Sequence, residues 1–152
     1  MFHMNLSEPS KLYAEVLESM REGDPCVVAE PAASDLLKCV RQGLPMVEFH
    51  AAREMLGVTE ERMGALLGMS RATLHRRKKS GLLDHTESDR LVRYVRLFAR
   101  ACEALGGEAG ARSWLASPAH AFLGESPLDF ADTEIGAREV EALLLRLEHG
   151  VF

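Results

Sequence analysis

The sequence predicts an all-α fold, and three observations carry that reading. Apolar residues recur at helical spacing almost without a break from Phe49 onward. The interruptions fall at Gly, Pro, Ser and Thr residues placed where helices start and stop. No stretch alternates apolar, β-branched residues with polar ones for long. The chain has 152 residues, 47% of them hydrophobic and 27% charged. At this size a single core buries roughly two-thirds of the unfolded surface, so neither disulfide nor metal staples are needed. One domain, or one domain with a small satellite, is expected.

Taken in order, Leu12, Val16, Leu17 and Met20 form an amphipathic helix after Ser10, ended by Gly23-Asp24-Pro25. Ser34 opens a second short helix to about Arg41, closed by Gly43 and Pro45. Ala51, Ala52, Met55 and Leu56 make a third, stopped by Gly57. Thr59-Glu60-Glu61-Arg62 has the form of a capping box, with Arg62 where Glu or Gln is wanted. It starts a helix holding Met63, Leu66 and Leu67 up to Gly68. Ser70 caps the next helix, which runs to about Lys79 and ends at Gly81. A long helix follows, with Leu91, Val95, Phe98, Cys102 and Leu105 spaced as a coiled-coil-like seam, either a dimer interface or a face of the chain's own core. Gly106 to Gly110 reads as a linker, followed by a short helix with Ala111, Trp114 and Leu115 that breaks at Ser117-Pro118. A turn of helix at Pro127 to Phe130 and a last helix from Gly136 to His149 complete the chain. Trp114 and Met46, Met55, Met63 and Met69 are expected in the core.

Charge is unevenly distributed. The net charge is -5, yet residues 53–79 carry seven basic residues against three acidic ones. Residues 1–52 carry four against eight, and residues 80–152 seven against twelve. A polyanion can therefore meet this chain at one short block. That block contains a helix-turn-helix pattern: two helices joined by Gly68-Met69-Ser70, with Met63, Leu66, Leu67, Met69 and Leu74 available to lock them. The second helix offers Arg71, Thr73 and His75 near its start as base readers, with Ser70 at its cap. Arg76, Arg77, Lys78 and Lys79 are placed to neutralise phosphates, so that removing Arg76 and Arg77 together would flatten the salt dependence by nearly two log–log units. Arg77 is off-pattern, at a position where many such motifs bury an apolar residue. Helical hairpins are also common packing units and basic runs common solvated faces, so both readings stand at this point.

The run Gly68-Met69-Ser70-Arg71-Ala72-Thr73-Leu74-His75-Arg76-Arg77-Lys78, followed by Glu87-Ser88-Asp89-Arg90-Leu91, resembles the Xre/MbcA/ParS-type antitoxins. So do Ala111-Arg112-Ser113-Trp114-Leu115, Pro118, Leu123-Gly124, Ser126-Pro127-Leu128, Thr133-Glu134-Ile135-Gly136 and the closing Val140, Leu144 and Arg146 to Phe152. The resemblance covers about residues 43–152 in the family's order, departing at His75 and His120. It implies an Xre-like helix-turn-helix region followed by a small helical toxin-binding domain. It implies a type II toxin–antitoxin system with three partners: a cognate RES-domain toxin that depletes NAD⁺, operator DNA, and a second copy of the chain within a larger hetero-oligomeric complex. The division implied is 1–44 as an N-terminal extension, 45–106 as the helix-turn-helix and dimerisation region, and 107–152 as the toxin-binding domain. Arg146, Glu148, His149, Gly150, Val151 and Phe152 are the expected toxin contacts, although Val151 and Phe152 could instead fold back on their own core. An acidic C-terminal half would suit the electropositive cleft of a dinucleotide-consuming enzyme.

Nothing points to catalysis or a cofactor. Gly106 to Gly110 lacks the Lys and Ser/Thr of a phosphate loop, and His3, His50, His75, His85, His120 and His149 show no metal-ligand spacing. Cys26, Cys39 and Cys102 are odd in number and read as reduced thiols. With neither a signal-like start nor an apolar run of ~20 residues, a cytoplasmic location away from membranes is expected. A stand-alone helix-turn-helix regulator with no toxin partner is the competing expectation.

Overall fold

The computed structural model describes residues 11–21 and 31–150, and every regular element among them is helical. In order these are α1 (Lys11–Arg21), α2 (Pro31–Gln42), α3 (Met46–Leu56), α4 (Glu60–Leu66), α5 (Arg71–Ser80), α6 (His85–Leu105), α7 (Glu108–Ala116), a 3-10 turn (His120–Phe122), α8 (Pro127–Phe130) and α9 (Glu134–Glu148). No described helix is long and apolar enough to cross a membrane.

Helix α6 is the axis about which the rest is packed. It contacts α1, α2 and α3 on one side of the chain's order and α7 and α9 on the other. Leu91, Val95 and Phe98 of the expected seam are buried, and Cys102 and Leu105 lie against the core. Tyr94, Leu97 and Ala101 are buried too, so α6 is covered on more than one face. The seam therefore belongs to the chain's own core. A single apolar cluster runs from Leu12 and Val16 of α1 through Phe49, Met63 and Leu115 to Val140 and Leu144 of α9. Burial pushes the Tyr94 phenol up to about 12, and its hydroxyl donates to Leu128 O at 3.4 Å. Burial likewise pushes the Cys102 thiol up. Met46, Met63 and Met69 are in the core and Met55 packs on it. Trp114 is half-buried against it, edge-on to Phe122 at 6.2 Å.

Several boundaries differ from expectation for local reasons. Helix α2 starts at Pro31, placing Ser34 inside its first turn rather than at its cap; proline at a first helical turn sacrifices no hydrogen bond. Helix α3 starts directly after Pro45, whose extended backbone serves as N-cap. The expected Gly-rich linker shrinks to Gly106 and Gly107, because Glu108, Ala109 and Gly110 already form the first turn of α7. Helix α9 starts at Glu134, since the Thr133 hydroxyl accepts from the Gly136 amide at 3.1 Å. Gly136 is required there: a Cβ would collide with the carbonyl oxygen of Phe130. The long helix begins at a capping box, Asp84 with Glu87. Ser10, Gly23 to Pro25 and Cys26 lie outside the described residues.

Candidate functional site

The turn between α4 and α5 is built from both sides. The Thr59 hydroxyl accepts from the Arg62 amide at 3.1 Å, and that of Ser70 accepts from the Thr73 amide at 3.2 Å, so each helix has its cap. Gly68 turns through the left-handed region at φ 77°. A Cβ there would strike the Arg90 guanidinium, which donates to Leu67 O at 2.9 Å and closes the end of α4. Helix α4 approaches α5 closely because Gly64 has no side chain; a Cβ at Gly64 would sit 3.3 Å from Leu74 Cδ2. Leu74 is the one buried residue of α5.

The rest of α5 is half-buried or exposed, and its side chains divide by where they are held. Arg71, His75 and Lys79 are exposed. Arg76 is exposed and donates to Thr73 Oγ1 at 3.2 Å, next to Ser70, whose hydroxyl reaches the same oxygen at 3.1 Å. Lys78 is tied back to Glu60 of α4 at 2.8 Å, and its hydrogen bond holds the Glu60 carboxyl below the usual range.

Arg77 is placed differently from the phosphate contact expected of it. Its Nε donates to both oxygens of Glu87, at 2.9 and 3.2 Å, and its Nη2 to Asp84 at 3.1 Å. The Glu87 side chain is only 8% exposed, and its hydrogen bond holds the Arg77 guanidinium above its ordinary pKa. This explains the off-pattern cation: two carboxylates face the side chain at the position where an apolar residue is expected. Asp84 and Glu87 cap α6 at the same time, through Asp84 N to Glu87 at 2.8 Å and Glu87 N to Asp84 at 2.7 Å. Next to them Ser88 bonds Asp84 O at 2.6 Å and receives the Leu44 amide at 2.8 Å. Residues 81–83 then pair with residues 44–46, through Met46 N to Gly81 O and Leu83 N to Leu44 O, both 2.9 Å.

Beyond the shared apolar core, arginines join the C-terminal unit to this region. Arg62 donates to Asp129 at 2.6 Å, which accounts for an arginine where a capping box wants Glu. Partial burial pushes the Asp129 carboxyl up, but hydrogen bonds from Ser126 and Arg62 outweigh it and leave the pKa below the usual value. Arg93 donates to Asp132 O at 3.1 Å, Arg96 to Glu141 at 2.8 Å, and Arg112 to Met55 O at 2.8 Å. Asp129 is thereby paired with an arginine of the basic block, as Asp84 and Glu87 are with Arg77, so the acidic surplus of residues 80–152 is smaller at the surface than a count suggests.

Helix α9 buries Gly136, Ala137, Val140 and Leu144. Its other face runs through Ile135, Ala142 and Leu145 to Arg146 and His149, all exposed, with spacing close to whole turns. Ile135 is 78% exposed, and Leu123, in the left-handed region at φ 58°, is 89% exposed. A non-glycine residue held there costs about 1 kcal/mol or more, so Leu123 is both strained and apolar at the surface. Neither position was flagged by periodicity, which marks both simply as apolar. A groove of about 300 Å³ between α6 and α9 is lined by Arg100, Arg138, Leu144, Leu145 and Glu148. Arg146, Glu148 and His149 are exposed at the end of α9, followed by Gly150 at φ 64°. Val151 and Phe152 lie outside the described residues.

Residues 35–96 match the model of the antitoxin Xre-like helix-turn-helix domain. Residues 100–150 match that of the antitoxin Xre/MbcA/ParS C-terminal toxin-binding domain. Antitoxin Xre of Yersinia enterocolitica is 40% identical over 84 residues, covering 55% of this chain and 57% of that protein. Antitoxin Xre of Pseudomonas putida is 43% identical over 65 residues, covering 42% and 40%. The chain thus spans about half the length of these relatives. Neither domain is that of an enzyme family. With both domains in order along one chain, the protein belongs to the Xre-type antitoxin family.

Proposed function

We propose that this chain is the antitoxin of a type II toxin–antitoxin system. Its C-terminal domain binds a cognate RES-domain toxin and blocks the cleft in which that toxin degrades NAD⁺. Its helix-turn-helix binds operator DNA and represses its own operon in the cytoplasm. The single observation that carries this reading is the presence of both matched domains, in order, in one chain.

On the DNA side, Arg71, Thr73 and His75 read base edges from the first turns of α5, with Ser70 at its cap, while Arg76, Lys78 and Lys79 neutralise phosphates. One helix makes few contacts, so operator binding calls for two copies with recognition helices about 34 Å apart. Because the α6 seam is used internally, that homodimer is built on another face. On the toxin side, the solvent face of α9 and the residues after it, Arg146, Glu148, His149, Gly150, Val151 and Phe152, are offered to the cleft, with Leu123 and Ile135 as apolar contacts beside them. The working division is residues 45–106 for DNA and dimer contacts and 107–152 for the toxin, with 1–44 as an extension packed through α1.

Co-expression with the neighbouring gene, pull-down and an NAD⁺ assay test this directly. The intact chain is expected to co-purify with a RES-domain protein and preserve cellular NAD⁺, whereas a chain cut after Arg146 is expected to lose that protection. If nothing co-purifies and NAD⁺ is unaffected by the neighbour, a stand-alone regulator takes its place.

A further inference from the structure

We infer that Arg77 is a positioning residue: with Glu87 and Asp84 it forms the joint that sets the tilt of the recognition helix α5 on α6, and it does not contact DNA phosphate. The inference rests on the DNA-binding reading above.

Helix α5 has little else to fix its angle. It buries one residue, Leu74; beyond that it is tethered by the Lys78–Glu60 pair and by its C-cap Gly81, whose carbonyl accepts from the Met46 amide, while the Ser70 cap is internal to the helix. Arg77 sits near its C-terminal end, three residues beyond Leu74, and points away from the exposed row of Arg71, His75, Arg76 and Lys79. Its guanidinium makes three hydrogen bonds to two carboxylates that are themselves fixed, since both close the first turn of α6. Asp84 is held further by Ser88, and Ser88 by the Leu44 amide ahead of α3. One cation thus connects the end of α5, the start of α6 and the entry to α3. The planar fork supplies separate donors, Nε for Glu87 and Nη2 for Asp84; a lysine in the same place carries all its donors on one flexibly held nitrogen and does not reproduce that fixed geometry.

Charge alone and position alone predict opposite results. If Arg77 were a phosphate contact, Arg77→Gln would lower the salt slope by about 0.9, Arg77→Lys would bind nearly as wild type, and Glu87→Gln would tighten binding by removing an acid close to DNA. As a positioning residue it gives another pattern. All three variants weaken binding by about tenfold, the lower end of what one mis-set base contact costs, with the salt slope unchanged.

The test is a titration of the full chain, wild type and each variant, against a labelled duplex carrying the DNA upstream of its own gene, across a series of salt concentrations. Amide exchange in the absence of DNA accompanies it, with faster exchange in Arg77→Gln expected over 71–84 and none over α7 to α9. A reduced slope in Arg77→Gln, full binding by Arg77→Lys, tighter binding by Glu87→Gln, or exchange that rises uniformly across the chain overturns the inference and leaves the DNA reading standing. If the wild-type chain does not bind the duplex, the DNA reading falls and Arg77's role on DNA with it, whatever the exchange shows of the joint.

Discussion

Helices α5 and α9 each show one face to solvent, yet they are attached to the molecule in contrasting ways. Helix α9 is held by burial: Val140 and Leu144 are sealed, and Gly136 lets its first turn meet the Phe130 backbone. Helix α5 is held by polar joints at its two ends and by Leu74 in between. Burial is non-directional and fixes a helix firmly to a core, whereas charge-assisted hydrogen bonds fix an angle. The lesson is that an element whose exposed face must be cationic has few side chains left for the core. Its orientation then depends on the minority of cations turned inward.

The contrast can be broken at several points. The largest effect is expected from Leu144→Ala, which should cost about 2–5 kcal/mol through lost burial and a cavity, read as a lower denaturant midpoint at constant m. Leu74→Ala should cost distinctly less, because Leu74 lies at the edge of the cluster; an equal loss would show that α5 is a core helix after all. Gly136→Ala comes next. Alanine normally favours a helix, but here its Cβ meets the Phe130 carbonyl, so a loss of about 1 kcal/mol or more is expected, and a gain in thermal stability would refute the contact. The smallest effect is on pH. The Asp129 and Glu60 carboxyls both titrate below their ordinary values of 3.8 and 4.5. Their stabilisation is therefore complete above the unfolded values and is lost as pH falls through the folded ones. Both groups are partly exposed, so each contributes only about a few tenths of a kcal/mol. Arg62→Ala should make stability less sensitive to acid below about pH 4, and an unchanged acid limb would mean that the pair with Asp129 contributes nothing.

Much of this architecture is legible in the chain itself. Thr59, Gly68, Ser70 and Gly81 mark the two helices of the helix-turn-helix because caps and left-handed stops are local chemistry. The Asp84-His85-Thr86-Glu87 box is equally local, whereas its pairing with Arg77 depends on how α5 and α6 pack. Arg62 shows the opposite case. Its partner Asp129 is 67 positions away, and no spacing rule links them. Distance along the chain also hides how the acidic surplus of residues 80–152 is spent, since Arg62 neutralises Asp129 only once the helices have packed. Ile135 and Leu123 were unreadable for a further reason: periodicity marks a residue as apolar without saying which side of a finished helix or turn it will occupy.

On the proposed function, the chain has two separable binding faces, one on α5 and one on α9. The most direct measurement takes two double variants, Arg71→Ala with Arg76→Ala and Ile135→Glu with Leu145→Glu, and reads DNA binding across salt and toxin co-purification for each. The first pair is expected to lose about 0.9 units of salt slope for each copy bound, through Arg76, and a base contact through Arg71, and still to co-purify with the toxin. The second pair should lose the toxin and keep the wild-type salt slope. If either pair abolishes both activities while the protein remains folded, the two faces are not separable and the account is wrong.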